Sequence, residues 1–412
     1  MTIFTKRFYA LIFTCCFLIH FSCSKEQFEN NTSNEVDNFE SKAFQKILEN
    51  ELKNYAASDR KKLFKDLKTY IDTYNNSSQK TSILTLDNLT DNFLFRLFSD
   101  FFGDFFGRLH SDRYAFDYNS HNPIISKKGL ADPCVIKHNG KYYLYPTSNG
   151  REYRVYESDN LYDWIDKGVA FSSDKPNVWA PDVYKHTDGM FYLYYSVNFK
   201  VGVAKSSTPF GPFIDHGVIA SGIDAHLFRD PKDQNLYLYY TNYDNGPYAT
   251  NDMVVRKMKN PLKVDSKEFF IMRADKKWEN GPLMIPFGIT EAPTVVYKEE
   301  FDLYYLIYSG DFYFNNGYAT GYATSNSPLG PFKKYEKNPF LSQIHTDVMG
   351  PGHASYLKGY DGNEYLFYHQ KSTPKWTFTN ENDTRYIVVD KIKFDANGIL
   401  KISPNALNPS KM

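Results

Sequence analysis

The sequence predicts an all-β fold, a five-bladed β-propeller preceded by a small α-helical N-terminal segment. Three observations point there: five look-alike segments after residue 115, turn dipeptides of the Asn-Gly and Asp-Gly kind between aromatic runs, and loss of helical periodicity at the same point. The chain has 412 residues with 48 Lys plus Arg against 48 Asp plus Glu, 42% hydrophobic and 17% aromatic. That length leaves ample chain for a large core. Zero formal net charge gives no basic footprint, which sets nucleic-acid binding aside.

The N-terminus reads as an export signal. Lys6 and Arg7 precede an apolar run from Phe8 to Phe21, then Ser22 and Cys23. The run is too short to span a bilayer comfortably. A cysteine after a small residue at this point resembles a bacterial lipoprotein cleavage site, with residues 1–22 removed and Cys23 lipidated. An ordinary signal peptide or signal anchor with an incidental cysteine is the plainer alternative. The mature chain would carry a net charge of −2 and touch a membrane only through its anchor. Of the four cysteines only Cys134 lies beyond residue 23, which excludes a disulfide framework.

Residues 23–37 are polar and read as a flexible spacer. Over 38–112 the pattern is helical: Phe44, Leu48, Leu52 and Tyr55, then Leu63, Leu67, Tyr70 and Tyr74, recur at helical spacing. The stretch from Leu89 to Leu109 is rich in Phe and must pack on something, either the following domain or else a partner or a membrane.

Residues 113–412 form the expected propeller. The five segments begin DPCVIKH at Asp132, PDVYKH at Pro181, DAHLFRD at Asp224, EAPTVVYK at Glu291 and GHASYLK at Gly352. Each reads as a short strand, a turn, and an aromatic strand centred on a leucine (Leu144, Leu193, Leu238, Leu306, Leu366). From the first polar residue of each segment (Asp132, Asp182, Asp224, Glu291, His353) to that leucine there are 12, 11, 14, 15 and 13 residues. Outer motifs SDNLYDW, SSTPFGPF and SNSPLGPF start at Ser158, Ser206 and Ser325. A β-sandwich has no reason to repeat such a unit five times.

In a propeller the first strands line the central channel, so their starts form a ring at one end of it. Asp132, Asp182, Asp224, Glu291 and His353 are expected there as equivalents. Each acid taken alone reads equally as a turn or strand cap. Four converging carboxylates repel one another and drive their pKa values apart, the condition glycoside hydrolysis needs.

These residues resemble glycoside hydrolase family 43, five-bladed propeller enzymes acting on arabinose- and xylose-containing glycans. The likeness covers about residues 120–405 and rests on HNPIISKKGLADPCVI, VWAPDVYKH, SGIDAHLF, TEAPTVVYK and GPGHASYL. It implies Asp132 as general base, Glu291 as general acid and Asp224 as the residue that orients the acid and tunes its pKa. It also implies inversion, with base and acid roughly 6.5–9.5 Å apart. Ala225 stands where proline is frequent in the family and Ala292 where glycine is frequent, which leaves the substrate open.

Trp179, Asp182, His226, Phe287 and His353 are expected on the substrate, with Trp278 a further stacking candidate; blade packing is the alternative for the aromatic residues and blade capping for Asp182. The resemblance requires no cofactor but allows a structural calcium ion in the channel, reached by His353 through waters; a hydrogen-bonded core histidine is the alternative. The expected partner is a plant or algal polysaccharide or oligosaccharide. Rival readings are a catalytically silent glycan-binding propeller, a retaining enzyme, and a glycosidase with another substrate such as galactan.

Overall fold

The computed structural model describes residues 121–243, 252–265, 267–280, 288–343, 348–372, 383–405 and 407–412. The export segment with Cys23, the spacer, the helical region and Phe287 lie outside the described residues.

Among the described residues the strands form five antiparallel sheets, each built from consecutive strands. Blade one holds β1 (Ala131–His138), β2 (Lys141–Thr147), β3 (Glu152–Ser158) and β4 (Ile165–Ser172). Blade two holds β5 (Val178–Lys185), β6 (Phe191–Val197), β7 (Lys200–Ser206) and β8 (Ile214–Ser221). Blade three holds β9 (Ile223–Arg229), β10 (Leu236–Thr241), β11 (Met253–Asn260), β12 (Lys263–Val264) and an extra β13 (Phe269–Met272). Blade four holds β14 (Thr290–Lys298), β15 (Leu303–Gly310), β16 (Ala319–Ser325) and β17 (Lys333–Lys334). Blade five holds β18 (Met349–Lys358), β19 (Glu364–Lys371), β20 (Arg385–Phe394) and β21 (Leu400–Ile402). The first strands pack in a closed ring, β1 on β5, β5 on β9, β9 on β14, β14 on β18 and β18 on β1.

The second strands explain the aromatic excess. Each is covered on both faces by neighbouring blades, so it reads as a continuous apolar run rather than an alternating one. The five central leucines are fully buried. Among the described residues the hydrophobic core is accordingly five clusters, one in each gap between adjacent blades.

Second-strand tyrosines also reach across those gaps. Tyr145 donates to Pro209 O and Tyr194 to Pro261 O, both at 2.6 Å, and Tyr239 donates to Pro328 O. Pro209 and Pro328 belong to the outer motifs noted in the sequence, so those turns serve as acceptors for the preceding blade. In blade four Tyr305 does the same to Gly398 O, 2.7 Å.

The ring closes without a shared strand. Asn122 pairs with Val389 of β20 in both directions, Ile124 N–H bonds Ile387 O, and Gly129 N–H bonds Arg385 O. Asn408 N–H then returns to Asn122 O, so both ends of the propeller meet at the seam between blades five and one.

Candidate active site

Every first strand carries a β-bulge at its channel-mouth end. In each, one residue takes the left-handed conformation: Asp132 (φ 48°), Ala180 (53°), Asp224 (57°), Ala292 (55°) and His353 (51°). Asp and His tolerate this region better than most residues, and the two alanines are small. Pro133, Pro181 and Pro293 follow in three blades, where the extra residue of the bulge needs no ladder N–H. Ala225 therefore loses nothing by replacing proline. Ala292, in contrast, sits in a conformation natural to glycine.

The preceding blade holds each bulge in place. Ala180 N–H donates to Thr147 Oγ1 (2.7 Å), Asp224 N–H to Ser196 Oγ (2.9 Å) and His353 N–H to Ser309 Oγ (2.8 Å). Asp132 N–H donates to His369 Nδ1 (3.4 Å), and Thr241 Oγ1 donates to Thr290 O (3.0 Å). These five residues occupy one register position at the end of the second strands.

This register corrects the expected ring of four equivalent acids. Only Asp132, Asp224 and His353 are equivalent; Glu291 precedes its bulge residue, Ala292, and Asp182 lies two places beyond Ala180. Hairpins of different length between first strand and leucine hide these offsets in the sequence.

The three acids expected to do the chemistry nevertheless converge. Asp132, Asp224 and Glu291 are 7, 6 and 8% exposed, buried with an edge still open. Asp132 Oδ1 lies 3.4 Å from Arg385 Nη1 and 3.4 Å from His353 Nδ1, and Asp224 Oδ2 lies 3.8 Å from the same nitrogen. Glu291 Oε1 accepts the Tyr318 hydroxyl at 2.7 Å. Tyr318 lies flat on His369 at 5.5 Å, over Gly352, where a Cβ would come within 2.1 Å of the ring. Glycine at 352 is what seats this phenol.

Protonation states split accordingly. Burial pushes the Asp132 carboxyl up, but His353 and Arg385 outweigh it and hold Asp132 well below the usual carboxylate range. Burial raises Glu291 to about 7, with the Asp132 and Asp311 charges adding to the shift and the Tyr318 hydrogen bond and Arg385 opposing it. Asp224 is pushed well up by burial, then by Glu291 and Asp132, against a hydrogen bond from Ala292 N–H. Burial depresses His353, against the Asp132 charge, and brings His369 to about 4. Arg385 is fixed by a two-pronged bond to Asp383 (3.0 and 2.7 Å) and capped by the Tyr313 ring at 4.9 Å.

Asp182 and His226, expected on the substrate, also clamp blade two to blade three. Asp182 Oδ1 meets His226 Nδ1 at 3.1 Å and its Oδ2 accepts Leu227 N–H at 2.9 Å. Both line a small channel cavity of about 20 Å³, with room for about one water. Trp179 stands at the mouth beside Ala180, its ring edge-on to Phe199 at 5.8 Å. Trp278 packs in blade four in a slot over Gly310 and Gly321, against Tyr308, so blade packing is its role.

Calcium takes six to eight oxygen ligands. Around the cavity stand His353, the Asp224 carboxyl, the already paired Asp182, and the Thr294 and Ser355 hydroxyls. Among the described residues no group of three or more His, Cys, Asp or Glu is placed to hold a metal. The described residues do not fit a calcium site built from protein ligands alone.

Tyr318, Arg385, His369, Tyr313 and Tyr243 belong to the site and are missing from the expected set. His369 carried a readable signal: Thr147, Ser196, Thr241, Ser309 and His369 each stand three residues past a central leucine.

A propeller mouth in which one buried carboxylate is held ionised while another is held protonated is the apparatus of a glycoside hydrolase. The chain belongs to the glycosyl hydrolases family 43, whose model matches residues 120–400. It is 26% identical over 310 residues to an extracellular endo-α-(1→5)-L-arabinanase 2 of Bacillus subtilis (strain 168), covering 63% of this chain and 60% of that one. A xylosidase/arabinosidase of Bacteroides ovatus is 27% identical over 65% of this chain and 93% of its own length. Among solved structures, a thermostable family-43 glycoside hydrolase superposes with a TM-score of 0.62 at 31% identity, covering 70% of this chain and 97% of its own. An endo-1,4-β-xylanase from Bacteroides thetaiotaomicron gives 0.59 at 31% identity, covering 69% and 97%.

Proposed function

We propose that this protein hydrolyses O-glycosidic bonds in arabinose- or xylose-containing glycans with inversion of configuration. Asp132, ionised beside Arg385 and His353, is the general base that takes a proton from water. Glu291, protonated near neutrality, gives its proton to the leaving glycosidic oxygen. Asp224 keeps the acid oriented, while burial and the Asp132 charge keep a proton on Glu291. The observation that carries this reading is the convergence in one mouth of Asp132, against Arg385 and His353, and Glu291, against the Tyr318 hydroxyl. The pentose assignment is supported by relatives named as arabinanase and xylosidase/arabinosidase.

Export and tethering through Cys23 belong to the same proposal, supported by the Phe8–Phe21 run and by relatives named as extracellular.

Asp132→Asn and Glu291→Gln are each expected to reduce turnover of natural oligomers by at least 10²-fold with the fold intact. Glu291→Gln loses less on nitrophenyl pentosides, whose leaving group needs little protonation. Proton NMR of the first-formed sugar is expected to show the inverted anomer. A retained anomer, or full activity in both variants, sinks the assignment. Screening arabinan, arabinoxylan and xylo-oligomers fixes the sugar.

A further inference from the structure

We propose that the gap between blades five and one, at the end of the propeller away from the channel mouth, is a second carbohydrate site that takes a carboxylate-bearing sugar, a uronate, of an acidic glycan. The inference goes beyond the hydrolase reading and stands on residues that reading does not use.

β20 starts at the mouth with Arg385 and runs away from it to Phe394, where the short β21 pairs along its end as the last strand of blade five. Ile392 and Ile402 pair with one another and are buried, so Lys391, Lys393, Lys401 and Ser403 share the opposite, exposed face. Lys393 stands directly across from Lys401. Like charges in that register repel and weaken a sheet. Edge strands do carry lysine to discourage pairing with another chain. That use needs no convergence, whereas all three lysines here line one cavity of about 570 Å³. Such a volume falls within the range of small-ligand sites, about 300–1,000 Å³.

The far wall of the cavity comes from blade one and the seam. His121 stacks on Tyr162 at 4.4 Å, and Lys411 Nζ ties down His121 O at 3.1 Å. Nearby acids leave much of the positive charge unanswered. Asp390 lines the cavity but is buried, its carboxyl taken by the Tyr368 hydroxyl (2.5 Å) and the Asn405 amide. Asp395 stands 3.8 Å from Lys401, and Asp361 lies close enough to Lys391 to feel its charge. Among the described residues no ion pair reaches Lys393. Ammonium groups on one side call for an anion, while the ring wall and the Ser403 hydroxyl suit the apolar face and hydroxyls of a sugar. A bare phosphate or sulfate would use the lysines and leave the rings idle. A glycan held here leaves the catalytic mouth, at the other end of the first strands, open.

The test titrates the full chain carrying Asp132→Asn, so that no sugar is consumed, with tri-galacturonate, a xylo-oligomer bearing one glucuronate, the matching neutral xylo-oligomer and inorganic sulfate, each read by calorimetry. At least one uronate is expected to bind, more weakly as salt is added, and saturating neutral oligomer should not displace it. Whichever uronate binds names the source. Lys393→Glu should weaken that binding by at least about tenfold without lowering the melting temperature, because it sets opposite charges across the strands. Lys393→Arg should stay within about twofold, and Tyr162→Ala should weaken the uronate but not sulfate. No uronate binding, binding that Lys393→Glu leaves unchanged, sulfate binding as tight as the uronate, or displacement by the neutral oligomer would each overturn the proposal. So would a lower melting temperature in Lys393→Glu combined with full uronate binding by Lys401→Gln. Uronate binding that Lys393→Glu weakens, in a protein whose unaltered chain has no turnover, would keep the proposal while sinking the hydrolase reading.

Discussion

Asp132 and Glu291 begin from nearly the same carboxyl chemistry and part because of their neighbours. Arg385 and His353 stand against the first, while the second receives one phenol. Tyr318→Phe removes a hydrogen bond that favours ionised Glu291, so its pKa should rise above about 7. The alkaline limb of the kcat/KM profile is then expected to move up by roughly one pH unit; an unmoved limb would show that Glu291 is not the titrating acid. The sequence disclosed Asp132, Asp224 and Glu291 because each sits at a repeated strand start. It did not disclose Arg385 or Tyr318, because neither falls at a recurring position: Arg385 opens β20 of blade five, Tyr318 stands just before β16 of blade four, and they meet the site only in the folded ring.

The bulge and its anchor are the working unit at the scale of a strand. Ser196 and Ser309 are fully buried hydroxyls, each accepting one backbone N–H from the next blade. Ser196→Ala leaves the Asp224 N–H without that partner and is expected to cost about 1–3 kcal/mol, read as a fall in the denaturation midpoint with an unchanged slope. A fall in activity on top of the lost stability would show that the anchor also aims Asp224. The repeat itself was legible from leucines and aromatic runs. Its register was not, because alignment from the first polar residue assumed acids at equal places, whereas counting back from each leucine's partner strand recovers Asp132, Ala180, Asp224, Ala292 and His353.

Across the whole molecule, buried carboxyls tie stability to pH. Burial lifts Glu291, Asp311 and Asp390 each to about 7. Folded protein therefore keeps protons that the unfolded chain releases near pH 4, and stability from these groups is lost as pH rises from about 4 through 7. Asp132 acts oppositely, its contribution being lost only in acid, below the unfolded value. The melting temperature is expected to fall between pH 5 and 8, and Asp390→Asn to flatten that fall; a flat profile in the parent protein would contradict these protonation states. The seam described earlier has a consequence of its own. Every blade is one uninterrupted stretch of chain, and residues 122 and 408 already touch. The finished circle thus holds no record of which blade came first. Splicing those two points together and severing the connector at 173–177 should give a permuted protein with the same five sheets, its new break between blades one and two.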